Sequence, residues 1–282
     1  MAQKAKKNGL IRGIAEDLNK HQEAFGDIPC IGIDDAKRLL SRILGLVFPH
    51  YMPGCEKGAK ALEAALKALE QDLAETLEKT AGWDAGTVRA KIGLFFADLP
   101  ALAKKIARDA EALYNSDPAS KSLSEVILAY PGCYAVSTYR IAHYLLNMEV
   151  PLLPRLMAEY AHRVTGIDIH PGAKIGNALY IDHGTGVVIG ETAVIGNNVQ
   201  IYQGVTLGAL KVEKGESDKK RHPTIEDNVV IYSGATILGG KTIIGHDSVI
   251  GGNVWITKSI LPHSRVMYKS SDEAESGLNW TI

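Results

Sequence analysis

The chain has 282 residues, 46% hydrophobic and 22% charged, and its 31 Lys and Arg against 32 Asp and Glu leave a formal charge of −1. This is the profile of a globular protein of one large or two modest domains, with no bulk electrostatic reason to bind nucleic acid or an anionic membrane. Apolar runs such as 43–48 and 126–136 fall well short of the roughly 20 residues that a membrane span needs, so no membrane partner is expected.

The opening Met1-Ala2-Gln3-Lys4-Ala5-Lys6-Lys7 is basic, but no apolar signal core follows it, which points to a cytoplasmic protein. Apolar residues then recur at spacings of three and four, predicting helices over 9–23, 34–47, 57–79, 85–114, 123–147 and 152–164. The stripe Leu62, Leu66, Leu69, Leu73 and Leu77 shows the period best, on a Lys/Glu/Ala-rich background that itself favours helix. Asp34 and Asp35 stand where an N-cap is expected, and Pro49, Pro53, Pro100, Pro118, Pro131 and Pro151 mark breaks or kinks. Residues 1–164 therefore read as an all-α domain. Cys30, Cys55 and Cys133 are odd in number and have neither a disulfide framework nor metal-type spacing.

From Ile169 a branched aliphatic recurs every six residues: Ile169, Ile175, Ile181 and Val187. The frame slips by two to Ile189, Ile195, Ile201 and Leu207, returns after an interruption as Ile225, Ile231 and Ile237, then slips by one to Ile244, Ile250 and Ile256. This is the spacing of hexapeptide repeats, in which three short strands make one triangular coil of about 18 residues with the aliphatic inside. The alternative, an ordinary sheet with chance spacing, is disfavoured by so many in-frame aliphatics. The expected class is α+β: a helical N-terminal domain, then a parallel β-helix over 165–262 and a C-terminal tail over 263–282. Residues 209–223 are polar, cannot supply inward aliphatics, and must leave the coil as a loop, where binding groups tend to sit. Flat faces on a solenoid favour packing on symmetry mates, so trimerisation is expected.

Of nine histidines, His21, His50, His143 and His162 fall in or beside helical segments and read as surface or core residues. His246 and His263 fall in turn-like parts of the coil and are expected to face solvent. Three others lie in polar clusters: Asp168-Ile169-His170-Pro171, Asp182-His183-Gly184-Thr185-Gly186 and Lys220-Arg221-His222-Pro223. Fifteen residues, a little under one coil, separate Asp168 from His183. Such stacking would orient an imidazole as a base for a hydroxyl near neutral pH; the same pairing can equally be a turn cap.

The runs 164–176 and 181–195, with Gln203-Gly204-Val205-Thr206-Leu207-Gly208 and Arg221-His222-Pro223, resemble the serine O-acetyltransferase family. The likeness covers about 116–260, with Asp117-Pro118-Ala119 and Tyr139-Arg140-Ile141-Ala142-His143 as weaker matches. It implies a left-handed β-helix, a hand that spacing does not set, and acetylation of L-serine by acetyl-CoA, with no tightly bound cofactor and no metal. By position, His183 resembles the general base and Asp168 its orienting carboxylate. Arg221 and His222 resemble the pair that binds the serine carboxylate, and Asp117 and Asp182 the acids around its amino group. Ala209, Ser233, Gly234, Gly251 and Gly252 match positions along the CoA groove between neighbouring coils of a trimer. Two features depart from the family. Ala209 stands where many relatives have glycine, and Pro262-His263-Ser264-Arg265 replaces the usual Gly-x-Pro-Ala-Arg run. The resemblance also implies a trimer or dimer of trimers, inhibition by L-cysteine, and docking of the terminal Ile282 into O-acetylserine sulfhydrylase. Competing readings are an acetyltransferase with another hydroxyl or amine acceptor, a metal-binding β-helix like γ-class carbonic anhydrase, and a non-catalytic scaffold presenting its tail.

Overall fold

The computed structural model describes residues 2–26, 30–52, 58–210 and 219–268, and the chain divides into two units, Met1–Cys30 and Ile31–Ile282. The first holds one helix, α1 (Ala2–Glu23). It starts before the predicted residue 9 because Ala2 to Lys7 are mostly good helix formers without apolar periodicity, so only propensity reveals them.

Among the described residues the second unit begins with six α-helices, α2 (Ile33–Val47), α3 (Ala59–Ala81), α4 (Ala85–Ser116), α5 (Leu123–Ala129), α6 (Pro131–Asn147) and α7 (Leu153–Thr165), with a short 3-10 turn at Pro49–Tyr51. Gly32, not Asp34 or Asp35, is the N-cap of α2; Asp35 sits in the first turn, where its carboxylate accepts from the Gly32 N–H at 3.0 Å. The predicted helix 123–147 is two helices. Pro131 has no N–H to donate to a preceding turn, so it opens α6 at N1 and leaves Tyr130 as the joint. Of the predicted leucine stripe, Leu69, Leu73 and Leu77 are buried while Leu62 is exposed. They join Leu39, Leu40, Ile43, Phe95, Ile106 and Leu113 in one helical core.

Gly166, in the left-handed region at φ 71°, ends α7 and turns the chain into the coil. Among the described residues fourteen short strands follow. Sheet A contains β1 (Asp168–Ile169), β4 (Val188–Ile189), β7 (Thr206–Gly208), β10 (Thr236–Leu238) and β13 (Trp255–Ile256). Sheet B contains β2 (Lys174–Ile175), β5 (Val194–Ile195), β8 (Thr224–Ile225) and β11 (Ile243–Ile244). Sheet C contains β3 (Tyr180–Ile181), β6 (Gln200–Ile201), β9 (Val230–Ile231), β12 (Val249–Ile250) and β14 (Arg265–Val266). The chain visits A, B and C in turn, with a lone Ile260–Ile244 bridge in place of a sheet-B strand in the last described coil, and every pairing among the described strands is parallel, so it winds as a triangular prism.

Register places Ile169, Ile189, Leu207, Ile237 and Ile256 in one inward stack. These side chains are buried, each contributing about 1.5–3 kcal/mol. Val187 is buried but belongs to a second file two residues earlier, with Ile167 and Val205, so it is not the fourth member of the first run. Pairing of β14 with β12 carries the coil to Val266, past the expected limit of 262, because Arg265-Val266 repeats the outward-inward alternation.

Candidate active site

The two-residue frame slip marks the first functional turn. Ile181 and Ile189 lie eight residues apart instead of six, and the extra length is the turn that carries His183 between sheets C and A. His183 is itself in the left-handed region at φ 54°, followed by Gly184 at 83° and Gly186 at 81°. This tight reversal sets the imidazole outside the prism, with 69% of the side chain exposed. The Asp182 carboxylate fixes the turn by accepting the His183 N–H at 2.8 Å, and its Oδ1 lies 3.7 Å from His183 Nδ1.

Asp168 opens β1 at the same edge, and its N–H donates to the Val187 carbonyl at the end of that turn, at 2.9 Å. The longer turn makes this coil 20 residues, so Asp168 stacks on Val188 rather than on His183. No hydrogen bond or ion pair joins Asp168 to His183 within the single chain; Asp182 is the carboxylate within 4 Å of the ring.

The end of α4 brings a third acid to this edge. Asp117 caps that helix, its N–H donating to the Leu113 carbonyl at 3.1 Å. The Tyr130 hydroxyl, at the α5–α6 joint, donates to Asp117 Oδ2 at 2.6 Å. That bond, with the Ala119 N–H, holds the Asp117 carboxyl below its usual range, and the nearby His183 acts in the same direction. The same bond, then burial, pushes the Tyr130 phenol up to about 12. Burial and then the Asp182 carboxylate raise Tyr180 as well. Asp117, Asp182 and His183 thus make an acidic cluster around an exposed imidazole.

Arg221 and His222 lie at a different edge, between sheets A and B, where the 209–223 loop re-enters the coil before β8. Arg221 pairs with Glu191. Thr192 holds the backbone: its hydroxyl accepts from the N–H groups of Arg221 at 2.9 Å and His222 at 3.0 Å. Because the Thr192 N–H donates to His222 Nδ1 at 3.0 Å, that nitrogen is the acceptor and Nε2 carries the proton. Burial, then the adjoining Arg221 and Lys220 charges, lower the His222 pKa to about 4, so the ring is neutral at pH 7. The ring fits because residue 190 is glycine; a Cβ there would lie 2.1 Å from Nε2.

Of the positions matched to the CoA groove, Ser233, Gly234, Gly251 and Gly252 fall on the C–A edge in the coils beyond His183. Ala209 falls on the A–B edge, at the start of the loop. Tyr130, Glu191 and Thr192 were not singled out from the sequence. Glu191-Thr192 follows the inward Ile189 by the same offset that places other corner residues, which is the signal that finds them.

Residues 59–138 match the family model described as "Serine acetyltransferase, N-terminal". A plasmid-encoded serine acetyltransferase of Synechococcus elongatus is 50% identical over 190 residues, which are 65% of this chain and 59% of that protein. A serine acetyltransferase of Bacillus licheniformis is 50% identical over 135 residues, 48% of this chain and 61% of that one. The chain thus spans about three-fifths of the length of these curated relatives. Serine acetyltransferase isoform 3 of Entamoeba histolytica, solved with cysteine, superposes with a TM-score of 0.74 at 37% identity, covering 82% of this chain and 81% of that one. The chain belongs to the serine acetyltransferase family. The Neisseria gonorrhoeae member solved with serine superposes with a TM-score of 0.57 at 29% identity, over 82% of this chain and 95% of that one. The three-sheet coil is accordingly a left-handed parallel β-helix behind a helical N-terminal region, as the resemblance implies.

Proposed function

We propose that the chain transfers the acetyl group of acetyl-CoA to the hydroxyl of L-serine, giving O-acetyl-L-serine and CoA, the first step of cysteine biosynthesis from serine. The observation that carries this reading is the exposed His183 imidazole on a left-handed turn, ringed by Asp182 and Asp117. His183 takes the hydroxyl proton as the serine oxygen attacks the thioester carbonyl. The tetrahedral intermediate collapses, and the proton passes to the departing CoA sulfur, so the ring ends neutral as it began. Asp168 carries the orienting role from the same edge, with Asp182 as the nearer carboxylate. Asp117, held ionised by Tyr130, suits the serine ammonium, and a guanidinium such as Arg221 suits its carboxylate bidentately. His222 adds a neutral Nε2–H donor.

In this reading the two halves of the serine site come from two copies. Asp117, Asp182 and His183 occupy the C–A edge and Arg221 and His222 the A–B edge of one prism, which fits a ring in which one copy's C–A edge meets the next copy's A–B edge. Acetyl-CoA would lie in that groove past Ser233, Gly234, Gly251 and Gly252, with Ala209 supplied from the facing edge. A homotrimer, or a dimer of trimers, follows. L-cysteine, an amino acid of nearly the same shape as serine, would compete at this site, in keeping with the Entamoeba relative solved with cysteine. Docking of Ile282 into O-acetylserine sulfhydrylase remains part of the proposal; that residue lies outside the described residues. Among the described residues no helix is long and apolar enough to cross a membrane, and the buried Cys133 thiol suits a reducing compartment such as the cytoplasm.

The test is CoA-thiol release from acetyl-CoA with L-serine, L-homoserine or glucosamine as acceptor. L-serine turns over well, the others poorly, and His183→Ala loses about 10²–10⁴-fold in kcat with its melting temperature unchanged. A folded parent inert toward all three acceptors contradicts the proposal.

A further inference from the structure

The third edge of the prism, where sheet B passes into sheet C, carries neither half of the proposed serine site. Its outward side chains form two ladders from coil to coil. In one, the Asn177 N–H donates to Asn197 Oδ1 at 2.9 Å and the Asn197 N–H to Asp227 Oδ1 at 2.7 Å. In the other, Asn198 Nδ2 donates to Asn228 Oδ1, and Asn228 Nδ2 to Asp247 Oδ1, both at 3.1 Å. Each amide thus passes a donor on to the next acceptor. The second ladder ends on a carboxylate whose other oxygen faces two imidazoles: Asp247 Oδ2 lies 2.7 Å from His246 Nδ1 and 3.9 Å from His263 Nδ1. The two rings meet edge to face with centroids 4.9 Å apart.

We infer that His246, Asp247 and His263 form a binding site for a divalent transition-metal ion of the zinc class. One ligand atom from each residue lies within 4.8 Å of the others. Bonds of about 2.0–2.2 Å place two donors on one tetrahedral zinc roughly 3.4 Å apart. To reach that spacing the His246–Asp247 pair, at 2.7 Å, would open slightly, and the His263 ring, 70% exposed, has room to turn in toward it. The backbone is already fixed. The N–H of Asp247 donates to the Asp227 carbonyl at 3.0 Å, that of His263 to the His246 carbonyl at 2.9 Å, and that of His246 to Glu226 Oε2 at 2.9 Å. Two imidazoles with one carboxylate suit zinc and its neighbours, whereas calcium and magnesium take oxygen ligands. A cleft lined by Glu226, Asp227, Asn228, His246 and Asp247 adjoins the site and adds two further carboxylates to its surroundings; water in it would fill the remaining coordination.

His246 and Asp247 belong to the turn entering β12, and His263 to the turn entering β14. The ion therefore bridges two successive coils. Among the described strands β14 pairs with β12 alone, so the bridge acts as a staple on the last described coil. It is independent of acetyl transfer, which the proposed function places on the other two edges.

The experiment uses the full chain, stripped of metal with EDTA and dialysed, then titrated calorimetrically with zinc chloride while its melting temperature is followed in parallel. The parent binds one zinc ion per chain and melts higher with it. His263→Asn and Asp247→Asn each weaken that binding at least about tenfold and abolish the rise in melting temperature. Both positions are left-handed, at φ 58°, a conformation asparagine adopts readily, so both variants keep the parent's turn. Matching circular dichroism spectra before zinc is added show that they do. Failure of the parent to take up zinc, or equally tight uptake by the parent and both variants, overturns the proposal.

Discussion

Among the described histidines, His222 is the one whose protonation the fold decides most firmly. Packed against Gly190 and only 8% exposed, it is kept neutral by burial and by the cations beside it, with a pKa lowered to about 4. Above pH about 6.5, the value of a free imidazole, folded and unfolded chains are both neutral here. As the pH falls below that, the unfolded chain takes a proton that the folded ring does not accept until about pH 4, so stability is lost through this window. Urea unfolding at pH 7.5 and 5.0 should therefore show a loss of about 1–2 kcal/mol attributable to this ring, read as the difference in slope between the parent and His222→Gln. Burial lowers His143 and His170 in the same direction, which is why the difference, not the parent's slope, is the readout. The sequence identified Arg221 and His222 by their place in a polar cluster and by the family motif. It did not show that Glu191 and Thr192 hold them, because a loop without periodicity hides which coil residue 222 returns to.

At the scale of elements, α6 joins α4 and α7 in fastening the helical region to the coil. Gly132 lets α6 approach so closely that a Cβ would sit 2.0 Å from the Ile181 carbonyl oxygen. The Tyr139 hydroxyl donates to the Ala173 carbonyl at 2.6 Å. Arg140, 2% exposed, donates from Nε to Asp109 Oδ2 at 2.7 Å and from Nη2 to Oδ1 at 3.0 Å, and from Nη1 to the Ile175 carbonyl at 2.7 Å. Asp109 in turn accepts the Leu179 N–H at 3.0 Å. Removing one partner strands a buried charge, so Asp109→Ala should lower the urea-unfolding free energy by about 3–5 kcal/mol, against less than about 0.5 kcal/mol for an exposed control such as Glu111→Ala. An equal small loss in both would contradict this role. The helices were legible from apolar spacing, and the frame slip after Ile181 located the His183 turn. The Arg140–Asp109 pair was not legible, since a charge inside a helical pattern reads as a solvent-facing residue and only tertiary register shows that it meets another.

At the scale of the whole molecule, the six-residue period fixed the prism because each inward aliphatic must land on the one in the coil before it. It also fixed which residues face outward, but not which edge of one copy meets which edge of another. The two outward clusters to which the proposed function assigns opposite ends of serine lie on different edges of sheet A. A heterologous ring is the arrangement that would bring them together. The fifteen-residue spacing of Asp168 and His183 suggested a direct stack, whereas the longer turn shifts the register by two and leaves Asp182 as the nearer carboxylate.

The most direct measurement mixes two inactive variants. In the proposed mechanism His183→Ala removes the base and Arg221→Ala the carboxylate clamp, and each alone should release little CoA thiol from acetyl-CoA and L-serine. Co-expressed and purified as mixed assemblies, they should recover roughly a quarter of the parent's activity, because some interfaces then pair an intact C–A edge with an intact A–B edge. Mixed assemblies that form normally yet stay as inactive as the separate variants would contradict a serine site shared between copies.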